Sequence, residues 1–306
     1  MFSYAESDAI ARRLNAEVLE NVSARFLTTF RGGGTAARVY VLSGADRLAE
    51  FLCCNAEKGR NDFYILGGGS NTVMQDGEIL RPVVLTTGAD DVRVVGETDE
   101  GVLITAECGA KIGKVIAAGR KAGAGGLEFL AGVPATTGGA LHMNAGAFGK
   151  EIADYVVEIE RLNPDFAKIE KLTRSDVRFG YRKGAEGTVL RATLLLPKTS
   201  EEESRARAAE FLFERRKKQP RQPSCGSVFR RGTLPAGFYI EKAGLKGVRL
   251  GGAEISRVHA NFIVNTGGAS AADFMGLAEL AERRVEELFG ERLEMEAEIF
   301  SDYLPF

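Results

Sequence analysis

The sequence predicts an α+β protein with mixed sheets, and three features of its 306 residues indicate this class. A predicted strand at 37–42, a helix at 43–59 and a second strand at 62–66 form an α/β unit that runs into a glycine loop. Several short apolar runs then follow one another, as in a series of strands. Near the end, a long amphipathic helix from Ser270 precedes a segment with the alternation of a strand.

The first elements follow from periodicity and from helix signals. Residues 7–21 repeat apolar side chains at helical spacing, which predicts a first helix. The segment 43–59 begins with Ser43 and Asp46 in capping-box spacing and ends at Gly59, so it also predicts a helix.

The later elements are predicted in the same way, and a change of composition near 197–204 marks a candidate domain boundary. They are apolar strands at 82–87, 92–97 and 101–110, a helix at 111–121, strands at 156–162 and 188–196, a charged helix at 200–219 stopped by Pro220, a short helix at 238–244, a strand at 260–265, a capped helix from Ser270 to Gly290, and a strand at 293–300.

Composition excludes several classes of protein. The formal net charge of −2 provides no basic field for nucleic acid or for an acidic membrane surface. The N-terminal residues lack the pattern of a signal peptide and no apolar run is long enough to span a bilayer, so we expect a cytoplasmic protein. The four cysteines have no framework spacing and should be reduced thiols. Because His142 and His259 have no cysteine at ligand spacing, no metal site is predicted.

Glycine-rich segments are the main candidates for ligand binding. Residues 32–37 satisfy G-x-G-x-x-A but lead into a strand, so they predict a turn and not a dinucleotide fingerprint. Residues 144–151 lack the residues of a Walker motif. The loop 65–71 is equally consistent with a tight turn and an anion site. The segment 132–149 is too rich in glycine and alanine for a core helix and too apolar for a solvated loop. We therefore expect it to lie against a large ligand, and the two loops together indicate a dinucleotide.

The stretch QPSCGSVFRR, residues 222–231, raises the question of a nucleophile. Cys225 would need a neighbouring histidine to act in that way, and none is nearby in the sequence. We interpret Cys225 as a small buried residue.

The chain resembles the UDP-N-acetylenolpyruvoylglucosamine reductases, the MurB flavoenzymes of bacterial cell-wall synthesis. It is similar to the shorter form of the family, which lacks an inserted loop with a substrate-binding tyrosine. The matching runs keep the family order along nearly the whole chain. They are TTFRGGGTA (28–36), LGGGSN (66–71), GLEFLAGVP (126–134), GGALHMNAGAFGKEI (138–152), FGYR (179–182), PSCGSVF (223–229), AGLKGVRLGGAEIS (243–256), HANFIVN (259–265) and FGERLEMEAEIF (289–300).

This resemblance implies an FAD-binding fold of the vanillyl-alcohol-oxidase type, with two α+β subdomains around the flavin and a third α+β domain that binds substrate. The implied FAD-binding domain covers 1–197, with subdomains at about 1–88 and 89–197. The substrate-binding domain would cover 198–292, and 293–306 would be a C-terminal strand returning towards the active site.

The resemblance also implies non-covalent FAD as the cofactor and NADPH as the co-substrate. The loop 67–71 would hold the pyrophosphate, and the other segments would line the flavin and its ribityl chain. The implied cofactor-binding residues are Gly67, Gly68, Gly69, Ser70, Asn71, Gly109, Ala110, Gly132, Pro134, Thr136, Gly138, Gly139, Asn144, Ala145 and Gly146.

The implied reaction is a ping-pong reduction of UDP-N-acetylglucosamine enolpyruvate, with hydride passing from NADPH to the flavin and then to C3. The carbanion character left at C2 needs a proton and a stabilised carboxylate. By resemblance, Ser227 supplies the proton, Arg182 and Glu296 contact the carboxylate, and Arg231 and His259 contact the sugar nucleotide. No obligate protein partner is implied.

Taken alone, these residues permit simpler interpretations. Arg182 could be a solvated charge, and His259 could be a hydrogen-bonded core residue. Glu294 and Glu298 share a face with Glu296 on an alternating strand, so the choice among them depends on the resemblance. Two other functions remain open, an FAD-dependent oxidase of the same fold acting on another small molecule and a diverged nucleotide-binding paralogue without catalysis.

Overall fold

The computed structural model describes residues 4–302, and helices and strands alternate along this range. The helices are α1 (Ala5–Arg13), α2 (Ala45–Ala56), α3 (Ile112–Lys121), α4 (Thr137–His142), α5 (Glu201–Lys218), α6 (Ala236–Lys242) and α7 (Ala271–Phe289). The strands are β1 (Glu17–Ser23), β2 (Thr35–Val41), β3 (Tyr64–Leu66), β4 (Thr72–Met74), β5 (Glu78–Ile79), β6 (Val83–Leu85), β7 (Val92–Glu97), β8 (Gly101–Glu107), β9 (Gly146–Ala147), β10 (Lys150–Glu151), β11 (Val156–Leu162), β12 (Ile169–Thr173), β13 (Thr188–Pro197), β14 (Arg249–Leu250), β15 (Ala253–Ile255), β16 (Ile263–Asn265) and β17 (Glu298–Phe300). Parallel and antiparallel strand pairs both occur, which confirms the predicted α+β class with mixed sheets.

The described chain forms two compact units, and each unit draws on separate stretches of sequence. The first contains the residues up to Leu19, Val39–Gly68 and Pro82–Arg215, and the second contains Glu20–Arg38, Gly69–Arg81 and the residues from Arg216 onwards. The predicted functional domains, in contrast, are continuous stretches, and they stay a prediction. The ends of the predicted segments 1–197 and 293–306, namely residues 1–3 and 303–306, lie outside the described residues.

The first unit contains an antiparallel sheet with strand order β12-β11-β13-β8-β7. The end of β2 also pairs in parallel with β6, and β6 pairs with β3. The rings of Tyr40 and Phe51 pack at a tilt of 45° in the core of this unit, with centroids 4.8 Å apart. Because β3 ends at Leu66 and β8 at Glu107, each strand leads directly into a segment that the sequence predicts to bind a cofactor.

The second unit has its own sheets and its own core. Strands β14, β15 and β16 form an antiparallel sheet, and β17 runs parallel to β4. The rings of Phe30 and Phe274 meet edge to face at 5.3 Å within a core that also contains Val228 and Phe229. Strand β17 begins two residues after Glu296, so its pairing with β4 helps to position that carboxylate.

Helix α7 confirms the predicted capped helix. Ser270 Oγ accepts a hydrogen bond from the Asp273 N–H at 2.9 Å, and the Asp273 carboxylate accepts one from the Ser270 N–H at 3.0 Å. The helix ends at Gly290, which has a left-handed φ of +68°. Both termini therefore have the geometry that the sequence predicts.

Ser270→Ala is expected to destabilise the protein by about 1 kcal/mol, because the hydroxyl satisfies an otherwise unpaired N–H of the first turn. The midpoint of urea unfolding, followed by circular dichroism, measures the loss. Ser270→Thr keeps the hydroxyl and should lose much less. Equal stability of the alanine variant and the parent would contradict the cap.

The first predicted helix is too long. Helix α1 ends at Arg13, and Asn15 has a left-handed φ of +52° that a continuing helix cannot contain. Residues 17–23 then form β1, although Val18 has helical spacing with the preceding apolar residues. Tertiary strand pairing has overridden the local pattern.

Two further local predictions are wrong. Helix α2 has Gly44 and not Ser43 as its N-cap, so the predicted capping box with Asp46 does not form; Asp46 forms an ion pair with Arg191, and the Glu107 carboxylate accepts the Ala45 N–H at 3.1 Å. Residues 137–142, expected to be non-helical, form α4, whose first turn is capped by Thr136. Within residues 4–302, no helix combines the length and apolar character needed to cross a membrane.

Candidate active site

Two glycine segments meet in the first unit. A Cβ atom on Gly67 would lie 2.5 Å from Thr136 Oγ1, and one on Gly68 would lie 2.6 Å from the carbonyl oxygen of Pro134. Any larger residue at 67 or 68 would force these segments apart. The structure thus brings together the loops at 67–68 and 134–139, which the sequence predicts to bind one cofactor.

A third predicted segment, residues 108–110, joins the same group. The Gly138 N–H donates to the carbonyl of Cys108 at 2.8 Å, and the Thr137 N–H donates to the carbonyl of Ala110 at 2.8 Å. The N–H groups of Gly109 and Ala110 are themselves paired within the fold. These residues therefore position the 134–139 segment, and their backbone donors are not available to a ligand.

The chemistry of the loop fits the pyrophosphate of FAD. The main-chain N–H groups of Gly67 and Gly68 make no hydrogen bond to any residue from 4 to 302. Consecutive free N–H groups in a glycine turn form a typical anion-binding site. The rest of the loop, Gly69, Ser70 and Asn71, belongs to the second unit.

Asn144 has a structural role in this part of the first unit. It is fully buried, with a left-handed φ of +41°. Its Nδ2 donates to the Glu151 carboxylate at 2.6 Å and to the Gly180 carbonyl at 3.0 Å, and its Oδ1 accepts from the Ala153 N–H at 3.3 Å. The amide is fully used inside the protein, so Asn144 can serve a ligand only by shaping the backbone at 145–146.

Arg182 lies beside the hairpin formed by β9 and β10. Its Nη1 donates to the Gly146 carbonyl at 3.4 Å, and its guanidinium lies 5.3 Å from the ring centre of Tyr181. Arg182 is half-buried and has a left-handed φ of +54°. A non-glycine residue in this conformation costs on the order of 1–2 kcal/mol, so the position is a constrained one and not an ordinary surface site.

Arg215 is a functional candidate that the sequence did not reveal. Its Nε donates to the Ala131 carbonyl at 3.0 Å and its Nη2 to the Phe129 carbonyl at 2.7 Å. Burial lowers the pKa of Arg215, and the charge of Arg182 lowers it further. No carboxylate pairs with Arg215 among residues 4–302. In the sequence it stands within the charged run ERRKK, which gives no signal of this environment.

Gly132, also predicted to bind cofactor, packs beside α5, the helix that contains Arg215. It has a φ of +81°, and a Cβ there would lie 2.7 Å from Leu212 Cδ1. It therefore lets the chain pass close to α5.

Ser227 lies in the second unit on a turn made by Gly226, which has a φ of +84°. The hydroxyl of Ser227 is half-buried and makes no hydrogen bond within the described range of the chain. The next residue, Val228, donates its N–H to the Asn261 carbonyl at 2.9 Å. The turn is thus held firmly while the hydroxyl stays available to a ligand.

Glu296 is held next to this turn. Its N–H donates to the Val228 carbonyl at 2.7 Å, and its carbonyl accepts from Asn71 Nδ2 at 2.9 Å. Glu296 is buried, whereas Glu294 is exposed and pairs with Arg230 at 2.7 Å. Burial therefore provides a physical reason to distinguish Glu296 from Glu294.

Cys225 is buried, as predicted from the sequence. Burial raises the pKa of its thiol to about 12, and the charge of Glu296 also raises it. The thiolate, which is the nucleophilic form, is therefore scarce at neutral pH. Cys225 packs in the core of the second unit and is not a nucleophile.

The two residues predicted to contact the sugar nucleotide also lie in the second unit. His259 is half-buried, and its Nδ1 accepts the Asn261 N–H at 3.2 Å. Burial, together with the charge of Lys246, lowers the pKa of His259, so its ring is neutral at pH 7. Arg231 is exposed and lines a small cavity with Tyr239.

The predicted site residues thus fall into two groups. The second unit brings Ser227, Glu296 and Asn71 together, and it also contains Arg231 and His259. The first unit assembles the segments 67–68, 108–110 and 134–139, and it contains Arg182. Within residues 4–302, no cluster of three or more His, Cys, Asp or Glu side chains could hold a metal ion.

Comparison with known proteins matches two stretches of the chain to domain families. Residues 36–165 match the FAD binding domain, which confirms the predicted FAD-binding fold. Residues 219–300 match the C-terminal domain of UDP-N-acetylenolpyruvoylglucosamine reductase. The second match contains the turn at Ser227 and the buried Glu296.

Whole-chain relatives agree with these matches. The chain is 37% identical to the UDP-N-acetylenolpyruvoylglucosamine reductase of Caldicellulosiruptor bescii, over 97% of this chain and 95% of the relative. It is 40% identical to the reductase of Caldicellulosiruptor saccharolyticus, over 95% and 94%. The crystal structure of MurB from Thermus caldophilus superposes with a TM-score of 0.74 at 32% identity, covering 94% of this chain and 100% of that one. The chain belongs to the UDP-N-acetylenolpyruvoylglucosamine reductase family.

Proposed function

We propose that this protein is an NADPH-dependent flavoenzyme that reduces UDP-N-acetylglucosamine enolpyruvate to UDP-N-acetylmuramate. The observation that carries the proposal is that the turn bearing the available Ser227 hydroxyl is held against the segment of the buried Glu296, whose N–H donates to the Val228 carbonyl at 2.7 Å. Such a pair suits protonation beside a carboxylate that becomes enolate-like. Its occurrence in a member of this family supports the assignment.

The residues that would hold FAD are the glycine loop 67–71 and the segments 132–139 and 145–146, while Gly109, Ala110 and Asn144 would shape the backbone of these segments. The free N–H groups of Gly67 and Gly68 would bind the pyrophosphate. When bound, FAD supplies two-electron chemistry, accepting hydride from NADPH and delivering it to C3 of the enolpyruvyl group. The protein contributes binding, orientation and proton supply.

Ser227 provides the proton in this proposal. Addition of hydride to C3 breaks the carbon–carbon π bond and leaves its electron pair on C2. The Ser227 O–H then transfers its proton to C2, so one hydride and one proton saturate the bond, and a proton from solvent restores the serine hydroxyl. Because no acceptor in the described chain competes for the hydroxyl, it is free to point at the substrate. Gly226 permits the turn that presents it.

Arg182 and Glu296 stabilise the substrate carboxylate. A guanidinium stays charged at every relevant pH and matches the planar geometry of a carboxylate. Glu296 can donate a hydrogen bond there only while it is protonated. Arg215, the second arginine near Arg182, adds positive charge on the same side of the first unit.

Arg231 and His259 contact the sugar nucleotide in this proposal. The neutral ring of His259 keeps Nδ1 as an acceptor, which leaves Nε2 as a donor for a sugar hydroxyl or a phosphate oxygen. We further propose that the enzyme acts in the cytoplasm without an obligate protein partner.

Anaerobic flavin spectroscopy tests the function. NADPH should bleach the flavin absorbance of the purified protein, and UDP-N-acetylglucosamine enolpyruvate should restore it. Failure of that substrate to restore the colour would reject the proposal. Rapid restoration by oxygen with none by the enolpyruvyl substrate would indicate an oxidase, and a protein that stays colourless with added FAD would indicate a nucleotide-binding module.

A further inference from the structure

The hairpin of β9 and β10 has an unusual turn. Ala147 pairs with Lys150, so Phe148 and Gly149 form a two-residue loop. Both have positive φ, +54° for Phe148 and +78° for Gly149, as in a type I′ turn. Asparagine, aspartate or glycine normally occupies the first of these positions, because a bulky side chain is strained there. Phe148 is therefore an unusual residue for this turn position, and we expect its side chain to have a role that offsets the backbone strain.

The Phe148 side chain is not buried in a core that could offset this strain. It is 47% exposed. Its ring contacts that of Phe211 at 4.8 Å between centroids and lies 5.4 Å from the guanidinium carbon of Arg215. The second distance is within the range of a cation–π interaction.

The same hairpin contacts both arginines described above. Gly146, in its first strand, accepts a hydrogen bond from Arg182, and Phe148, at its tip, lies against Arg215. Two backbone carbonyls, of Phe129 and Ala131, bind one edge of the Arg215 guanidinium. The hairpin thus holds two like charges near each other, and no carboxylate pairs with Arg215 in the described part of the chain. An anionic ligand would supply the opposite charge that Arg215 lacks there.

We propose that Phe148 is a positioning residue whose strained backbone holds its ring over Arg215, so that Arg215 and Arg182 face the same anionic group of the substrate. This inference rests on the proposed function for the identity of the substrate. The proposed function places the enolpyruvyl carboxylate at Arg182, and the diphosphate is the alternative that the test below distinguishes, since both present oxygens that a guanidinium binds. Strain at the turn is retained because it directs the ring.

Phe148→Gly separates this role from a structural one. Glycine adopts positive φ without strain, so the variant should unfold at the same temperature as the parent or a higher one. We expect the KM for the enolpyruvyl substrate to rise roughly tenfold, with kcat within about twofold, because binding and not chemistry loses a contact. Phe148→Tyr keeps the ring and should restore the KM. Phe213→Ala is the matched control. It removes an exposed aromatic side chain of α5, and no change in KM is expected.

Titration with UDP-N-acetylglucosamine identifies the anionic group, because this probe carries the diphosphate but no carboxylate. Weaker binding by Phe148→Gly assigns the diphosphate, whereas unchanged binding with a raised KM assigns the carboxylate. An unchanged KM and unchanged probe binding would overturn the proposal, as would an equal rise in KM for Phe213→Ala. If the parent protein fails to reoxidise with the enolpyruvyl substrate but Phe148→Gly still weakens probe binding, only the proposed function fails.

Discussion

Replacing Ser227 by alanine is expected to lower kcat for the enolpyruvyl substrate by about a hundredfold to ten-thousandfold, the usual contribution of a positioned proton donor. The alanine variant should keep its flavin, because Ser227 lies on the turn after Gly226 and not in the glycine loops of the first unit. NADPH should therefore still bleach the flavin at the parental rate. Stopped-flow measurement of the two half-reactions separates these effects.

Ser224 provides a matched control within the same stretch. Its backbone carbonyl accepts the hydroxyl of Thr29 at 2.7 Å, and no role is assigned to its own side chain. Ser224→Ala should turn over substrate at nearly the parental rate. Normal reoxidation of the flavin in Ser227→Ala would show that another group supplies the proton.

Replacing Glu296 by alanine is expected to lower kcat at least about a hundredfold, because a buried carboxyl beside the reacting group is removed. Glu296→Gln keeps a hydrogen-bond donor but cannot release a proton, so its rate should fall between those of the parent and the alanine variant. Steady-state kinetics measures the loss. Thermal unfolding shows whether removal of a buried group has also destabilised the fold.

Glu294→Gln distinguishes a specific loss from a general effect of charge. Glu294 is two residues away, exposed, and paired with Arg230. A surface ion pair contributes about 0–1 kcal/mol, so this variant should remain stable and active. Comparable losses of kcat in both variants would contradict the assignment of Glu296.

The sequence predicts best those features that depend on local chemistry. Helix α7 has the predicted capping box of Ser270 and Asp273 and the predicted glycine at its end, because a cap is a contact between near neighbours. Strand β3 likewise leads into its glycine loop at the predicted place. The glycine content of 65–71 and 132–149 predicts that both segments bind one ligand, but the direct contact of that loop with Thr136 and Pro134 is not predicted, since nothing local links residues about seventy apart.

Features that depend on distant contacts could not be predicted in this way. Helix α1 stops at Arg13 and a strand follows, although the apolar spacing continues. The burial that distinguishes Glu296 from Glu294 is a property of the folded second unit. From the sequence alone, Arg215 is expected to be one of many solvated charges. Its contacts with the carbonyls of Phe129 and Ala131 and with the ring of Phe148 exist only in the folded chain.

The division of the chain into two interleaved units has a consequence for its synthesis. Residues 20–38 and 69–81 leave the ribosome early, yet their unit is completed only by the residues after 215. Phe30 and Val73 therefore lack their core partners until Phe274 and its neighbours have been synthesised. A nascent chain stalled near residue 215 would display this unfinished core, which is a surface that chaperones recognise. The same dependence means that residues 219–300 alone lack part of their core and should not fold as an isolated fragment.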